Sequence, residues 1–150
     1  WEVFAQAQYN ERLQLRLRTL LGTGMRIALL PQASKQRAFW GTSYMYEYNE
    51  ETEEQDGEQR IIYLRDHRWS NYLSFRFALG ENAALANTSY YQPLLTNFAD
   101  LRLSSETSFQ IGITRKIKFT TVYSIIYDTR VPDEVSNTIY KWTNGLRLDF

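Results

Sequence analysis

Leu13-Gln14-Leu15-Arg16-Leu17-Arg18-Thr19-Leu20-Leu21-Gly22-Thr23-Gly24-Met25-Arg26-Ile27-Ala28-Leu29 is the stretch that decides the fold. Its odd positions are all apolar or Thr. Its even positions are Gln14, Arg16, Arg18, Leu20, Gly22, Gly24, Arg26 and Ala28, which apart from Leu20 are polar, charged or small. A helix would scatter these two sets around its axis. A strand sends each to one face, so the stretch is predicted as a strand.

The same alternation recurs along the chain. Trp69, Leu73, Phe75, Phe77 and Leu79 stand opposite Ser70, Tyr72, Ser74 and Arg76. Leu103, Phe109, Ile111 and Ile113 stand opposite Ser104, Glu106, Ser108, Gln110 and Gly112. Ile117, Phe119, Tyr123, Ile125 and Tyr127 form a third set, and Tyr140, Trp142, Leu146, Leu148 and Phe150 a fourth. Trp40, Tyr44, Tyr46 and Tyr48 give another. Eight strands are predicted, over 1–10, 13–30, 37–49, 60–79, 83–92, 101–114, 117–128 and 138–150. The expectation is one all-β domain over 1–150: an antiparallel up-and-down transmembrane β-barrel, with its first strand pairing its last. A place in a larger barrel is the alternative.

Composition narrows the class. The 150 residues carry 17 Lys+Arg against 17 Asp+Glu, so bulk charge attracts neither nucleic acid nor an anionic surface. Mean hydropathy is −0.49, and no apolar run reaches the length of a membrane helix. With no Cys, disulfides and thiolate metal or redox sites are excluded. No cofactor is expected. Trp1 is no initiator, so the chain is read as processed or as a fragment.

Alternation alone does not say which face meets water. A soluble barrel turns its apolar parity inward around a ligand, whereas a membrane barrel turns it outward at lipid. Three features favour the membrane. The polar parity holds charges of both signs within strands. It also holds Gly22, Gly24, Gly112 and Gly145, which suits a packed interior. Aromatics sit near strand ends on the apolar parity, as interfacial girdles do. Connections support the same choice: Gly80-Glu81-Asn82, Thr114-Arg115-Lys116 and 31–36 are short. The segments 49–59, 93–100 and 129–137 are expected to be long loops on the other side, with the short first hairpin at Asn10–Arg12 as the exception there. The predicted lipid-facing and girdle residues are Trp69, Phe75, Phe77, Phe109, Ile111, Phe119, Tyr127, Trp142 and Leu148. Leu146, Leu148 and terminal Phe150 read as the signal for the barrel-assembly machinery.

Residues 13–24, Gly41-Thr42-Ser43-Tyr44-Met45-Tyr46-Glu47, Asn87-Thr88-Ser89-Tyr90-Tyr91-Gln92-Pro93, 100–107 and Tyr127-Asp128-Thr129-Arg130-Val131-Pro132 carry a resemblance over nearly the whole chain. The sequence resembles the YdiY-like, salt-induced outer-membrane proteins, a family whose domain has no assigned function. The resemblance implies a β-barrel in the bacterial outer membrane and no particular reaction. Members are typically longer, with further strands ahead of the position of Trp1, which leaves strand number open.

Candidate sites each have a plainer reading. Glu2, Arg16, Arg18, Arg26, Arg76, Glu106, Lys118, Arg147 and Asp149 are predicted inward. They line a solute path or, as preferred, pair into a salt-bridge network that fills an eight-stranded interior. Glu50, Glu51, Glu53, Glu54, Asp56 and Glu58 form an acidic segment whose oxygens suit a divalent cation. A solvated loop is preferred. Asp66 beside His67 suggests rim hydrolysis, yet neighbours in a strand point to opposite faces. Tyr90, Tyr91, Pro93 and Arg102 read as an aromatic–basic patch, but strand-end roles fit better than nucleic acid.

The resulting expectation is a non-enzymatic outer-membrane barrel with a charge-packed interior and an envelope-structural or stress-related role. Its surroundings would be lipid and lipopolysaccharide, with room for a protein partner. A porin-like channel and a soluble periplasmic lipid-binding barrel are the alternatives. Arg76→Leu is expected to separate wall from interior: nearly neutral on a solvated exterior, destabilising where it strands a buried carboxylate.

Overall fold

The computed structural model describes residues 1–10, 15–31, 35–55, 58–114, 116–131 and 136–148. They form eight strands and no helix: β1 (Glu2–Asn10), β2 (Leu15–Ala28), β3 (Arg37–Gln55), β4 (Glu58–Ala78), β5 (Ala83–Leu94), β6 (Asn97–Gly112), β7 (Ile117–Asp128) and β8 (Thr138–Leu148). All lie in one sheet in chain order, each antiparallel to the next. Among the described residues no pairing joins β8 to β1, so both present edges.

Two predicted loops are strands instead. Residues 49–55 continue β3 and pair with the start of β4, from Asn49↔Leu64 to Gln55↔Glu58. The acidic run is drawn into the ladder by its partner strand, where Ile61, Ile62 and Tyr63 favour extended backbone. Likewise β5 runs to Leu94 and β6 starts at Asn97, leaving a tight turn at Leu95-Thr96. Pro93 fits because the register shifts between Pro93 and Leu94, where no ladder donor is required. At 49–55 and 93–100 the long side is thus built of lengthened strands rather than loops.

At the opposite end the connections are short. Gly80 closes the β4–β5 turn with φ of 81°, a left-handed conformation that favours glycine. In the β6–β7 turn, Thr114 Oγ1 accepts from the Ile117 backbone N–H at 3.0 Å.

The sheet curls around the polar parity. Neighbouring strands lie about 4.8 Å apart, so a flat sheet would hold β3 and β6 about 14 Å apart. Yet Glu47 of β3 meets Arg102 of β6 at 3.4 Å. Tyr72 of β4 donates its hydroxyl to Glu2 of β1 at 2.8 Å. Small residues make the curl possible. A Cβ on Gly41 would sit 2.0 Å from Tyr72 Cε1, and one on Gly22 would sit 2.2 Å from Phe4 Cζ. Each aromatic ring therefore lies directly over a neighbouring strand's backbone.

Gly41→Val is expected to lower stability by about 1–3 kcal/mol, because the Tyr72 ring is pinned at its far end and cannot retreat freely. Gly145→Ala, whose Cβ would meet nothing within 4 Å, should be neutral. Urea midpoints of the two variants against the parent check this.

Candidate functional site

Alternation on β3 and β4 places one run of side chains inside the curl. On β3 it is Met45, Glu47 and Asn49; on β4 it is Asp66, Arg68 and Ser70, all buried. Glu47 is 0% exposed and Arg68 is 1% exposed. A buried charge costs several kcal/mol unless it is paired and hydrogen-bonded, so the surroundings of Glu47 must answer it.

They do so from three strands. Arg18 Nε of β2 lies 2.9 Å from Glu47 Oε1, and Arg68 Nε lies 3.0 Å from Oε2. Arg102 Nη2 approaches Oε1 at 3.4 Å. Asn49 Nδ2 donates to Oε1 at 2.9 Å and accepts from Arg18 Nε at 3.0 Å on its own oxygen. The arginines are neutralised in turn. Arg102 Nε donates to Asp128 Oδ2 at 2.7 Å. Arg68 donates to Asp100 Oδ1 at 3.2 Å and to the Gln92 carbonyl at 3.1 Å.

Arg130, beyond the end of β7, closes the cluster. Its guanidinium donates to Asp66 Oδ2 at 2.7 Å and also to Asp100. Partial burial opposes its charge, but Asp66 and Asp100 outweigh that and hold its pKa above the ordinary arginine value. Thr129 positions it: the hydroxyl accepts from Leu101 N–H at 2.9 Å and donates to the Leu101 carbonyl at 3.2 Å. Arg18, Arg68, Arg102 and Arg130 thus face Glu47, Asp66, Asp100 and Asp128, four cations against four anions. All lie toward the end of the sheet where β3 and β4 are longest.

The predicted inward residues divide. Arg18 joins the cluster. Glu2 and Arg26 form a separate, more exposed pair at 3.1 Å. Arg16 is exposed, where the β2–β3 register shifts between Leu15 and Leu17. Glu106 accepts from Ser124 Oγ at 3.1 Å. Arg76 stands opposite Arg37, and Lys118 opposite Arg147. Among the described residues Arg76 has no carboxylate partner and is exposed, so the expectation that it covers a buried carboxylate is corrected. Arg68 holds that role. Asp149 and Phe150 lie outside the described residues.

Asp66 and His67 do point to opposite faces. Asp66 is in the cluster, whereas His67 shares a hydrogen bond with the Tyr44 hydroxyl and packs beside the Tyr44 and Tyr46 rings. In the acidic segment, Glu50 accepts from Tyr48 Oη at 3.0 Å. The side chains of Glu51, Glu53, Glu54 and Glu58, and all of Asp56, lie outside the described residues.

The apolar parity occupies the convex face. Trp142 is 72% exposed and Leu146 70%, with Trp69, Ile111 and Leu148 also exposed. Phe75 and Phe77 stack on that face, and Phe109, Phe119 and Tyr127 share its parity. Its polar groups answer one another. Trp69 Nε1 donates to Thr42 at 2.7 Å and Trp142 Nε1 to Thr121 at 2.6 Å. Asn87, Ser89, Ser105 and Thr107 form a closed set. Asn71 Nδ2 is the exception among the described residues, buried without a partner.

Sequence reasoning missed Glu47, Asn49, Arg68, Asp100, Asp128 and Arg130. It assigned Arg102 to a surface patch and Asp66 to the rim. The signal was present: if Tyr44, Tyr46 and Tyr48 face out, then Met45, Glu47 and Asn49 face in.

The family model described as "Protein of unknown function, DUF481" matches residues 1–150, and the chain belongs to that family. No curated protein and no solved structure matches.

Arg68→Leu is expected to destabilise by about 3–5 kcal/mol, since it leaves Glu47 and Asp100 short of a partner. Arg26→Leu, in the exposed Glu2 pair, should cost about 1 kcal/mol or less. Urea unfolding followed by Trp fluorescence checks the contrast.

Proposed function

We propose that this DUF481 chain is a transmembrane β-barrel of the bacterial outer membrane, non-enzymatic, with a plugged interior and an envelope-structural role. One observation carries the reading: the arrangement of polarity is inside out. Among the described residues the buried polar side chains are Arg18, Glu47, Asn49, Asp66, Arg68 and Ser70, while Leu20, Met45, Pro93 and Leu94 are buried apolar ones. Tyr90, Ile126 and Ile139 have the concave parity, but most of the large exposed apolar residues lie on the convex face. Water would leave that face costly, whereas hydrocarbon would solvate it. A soluble lipid-binding barrel needs the reverse curl, with the apolar parity concave.

The convex hydrogen bonds support the same reading. In hydrocarbon an unanswered indole N–H or hydroxyl is expensive, and Trp69, Trp142 and the Asn87 set are answered by side chains on the same face. Spanning also requires the edges of β1 and β8 to be paired, since no open sheet edge persists in lipid. The eight-charge cluster supports a plug rather than a channel at its end of the interior. A structural role is supported by the use of the buried carboxylates, each held by arginine.

Quenching by brominated-acyl lipid tests the proposal. The parent in such vesicles should lose Trp fluorescence, and Trp69→Phe with Trp142→Phe should remove much of that loss. Unheated protein should also migrate faster than heated protein in detergent gels. A monodisperse, folded chain in detergent-free buffer, unquenched by the vesicles, would overturn the reading.

A further inference from the structure

Among the described residues the interior is electrically lopsided. Around Glu47 four arginines match four carboxylates. Between that cluster and the short turns, the inward positions of the described strands carry Arg26, Arg37, Arg76, Lys118, Lys141 and Arg147 against Glu2 and Glu106. Two of these contacts are cation against cation in direct register: Arg37 opposite Arg76 on β3–β4, and Lys118 opposite Arg147 on β7–β8. Like charges directly opposite one another destabilise a sheet. Lys118, Arg147 and Arg37 each have other interactions, so the point is the excess and not the isolation of any one group.

One cation of each pair, Arg76 and Lys118, lines a single cleft of about 320 Å³. Arg76 lines it from β4, Gln110 from β6 and Lys118 from β7. Lys35 lies at its rim, and Glu81 is its acidic lining residue. Ala78, Ala83 and Ala84 leave its floor open.

We infer that this short-turn cleft is a binding site for a phosphate-bearing anion. A single negative charge would answer one wall. A phosphate monoester or diphosphate carries enough charge to answer both at once. Guanidinium groups offer it paired donors, and lysines offer point charges. The cations sit on the concave face, shielded on one side by the sheet, where attraction is screened less than on an open surface. The anion comes either from solution or from a lipid headgroup, and the chemistry recognised is the same. The inference does not depend on the cluster or on membrane insertion.

Calorimetric titration of the folded, detergent-solubilised chain tests it, with sodium pyrophosphate in one arm and micelles doped with short-chain phosphatidic acid in the other. Saturable binding is expected in at least one arm at low ionic strength, and it should weaken as salt rises. Arg76→Gln and Lys118→Gln should each weaken it about tenfold or more. Arg65→Gln, on an exposed arginine of the opposite parity of β4, should change it less than about twofold. Ala84→Glu, which sets a carboxylate on the cleft wall without removing any contact, should abolish it. Saturation by pyrophosphate assigns a soluble anion, and saturation by phosphatidic acid alone assigns a headgroup. No saturable binding in either arm overturns the inference, as does binding that Arg65→Gln weakens as much as Arg76→Gln.

Discussion

Everything inside the curl depends on keeping the Glu47 carboxylate charged without water. It lies three strands from Arg102 along the sheet, and bending shortens the path between the two side chains. The charge and the curvature sustain each other. Bending brings Arg102 to Glu47, and the cost of leaving Glu47 unanswered opposes unbending. The aromatic residues of the other half work the same way with a weaker partner. Tyr72 crosses Gly41 to reach Glu2, so a missing side chain on β3 becomes the passage for a hydrogen bond between β4 and β1.

Period-two alternation made the strands legible. Six of the eight carry a run of residues whose two parities differ clearly in chemistry, while β1 and β5 alternate more weakly. The errors fell where composition and pairing disagree. Residues 49–55 look like solvated loop because they are acidic. They are strand because Ile61, Ile62 and Tyr63 supply the partner, and a partner 10 or so residues away is invisible to a local count. Parity also pointed inward at the right positions, but it does not rank them. Arg18, Arg26 and Arg76 are equivalent by alternation. Only the curl decides that Arg18 is enclosed, Arg26 half-open and Arg76 at the rim. Arg130 was beyond any alternation argument, since it follows the last residue of β7 and is placed by Thr129.

The convex face shows a second consequence of the same chemistry. Its aromatics are neither buried nor randomly exposed. Indoles donate to threonines on the adjacent strand, and the Asn87 set closes on itself. A sheet that hides its charges must still answer the polar atoms that remain outside, and apart from Asn71 Nδ2 the indoles of Trp69 and Trp142 and the Asn87 set are answered laterally, strand to strand.

None of the eight clustered charges belongs to β1 or β8. Arg18 is the first of them and Arg130 the last, so the two edge strands flank the cluster without contributing to it. The cluster is therefore carried by β2, β3, β4, β6 and β7, with Arg130 beyond the last of these, and neither edge of the sheet supplies any of its ion pairs.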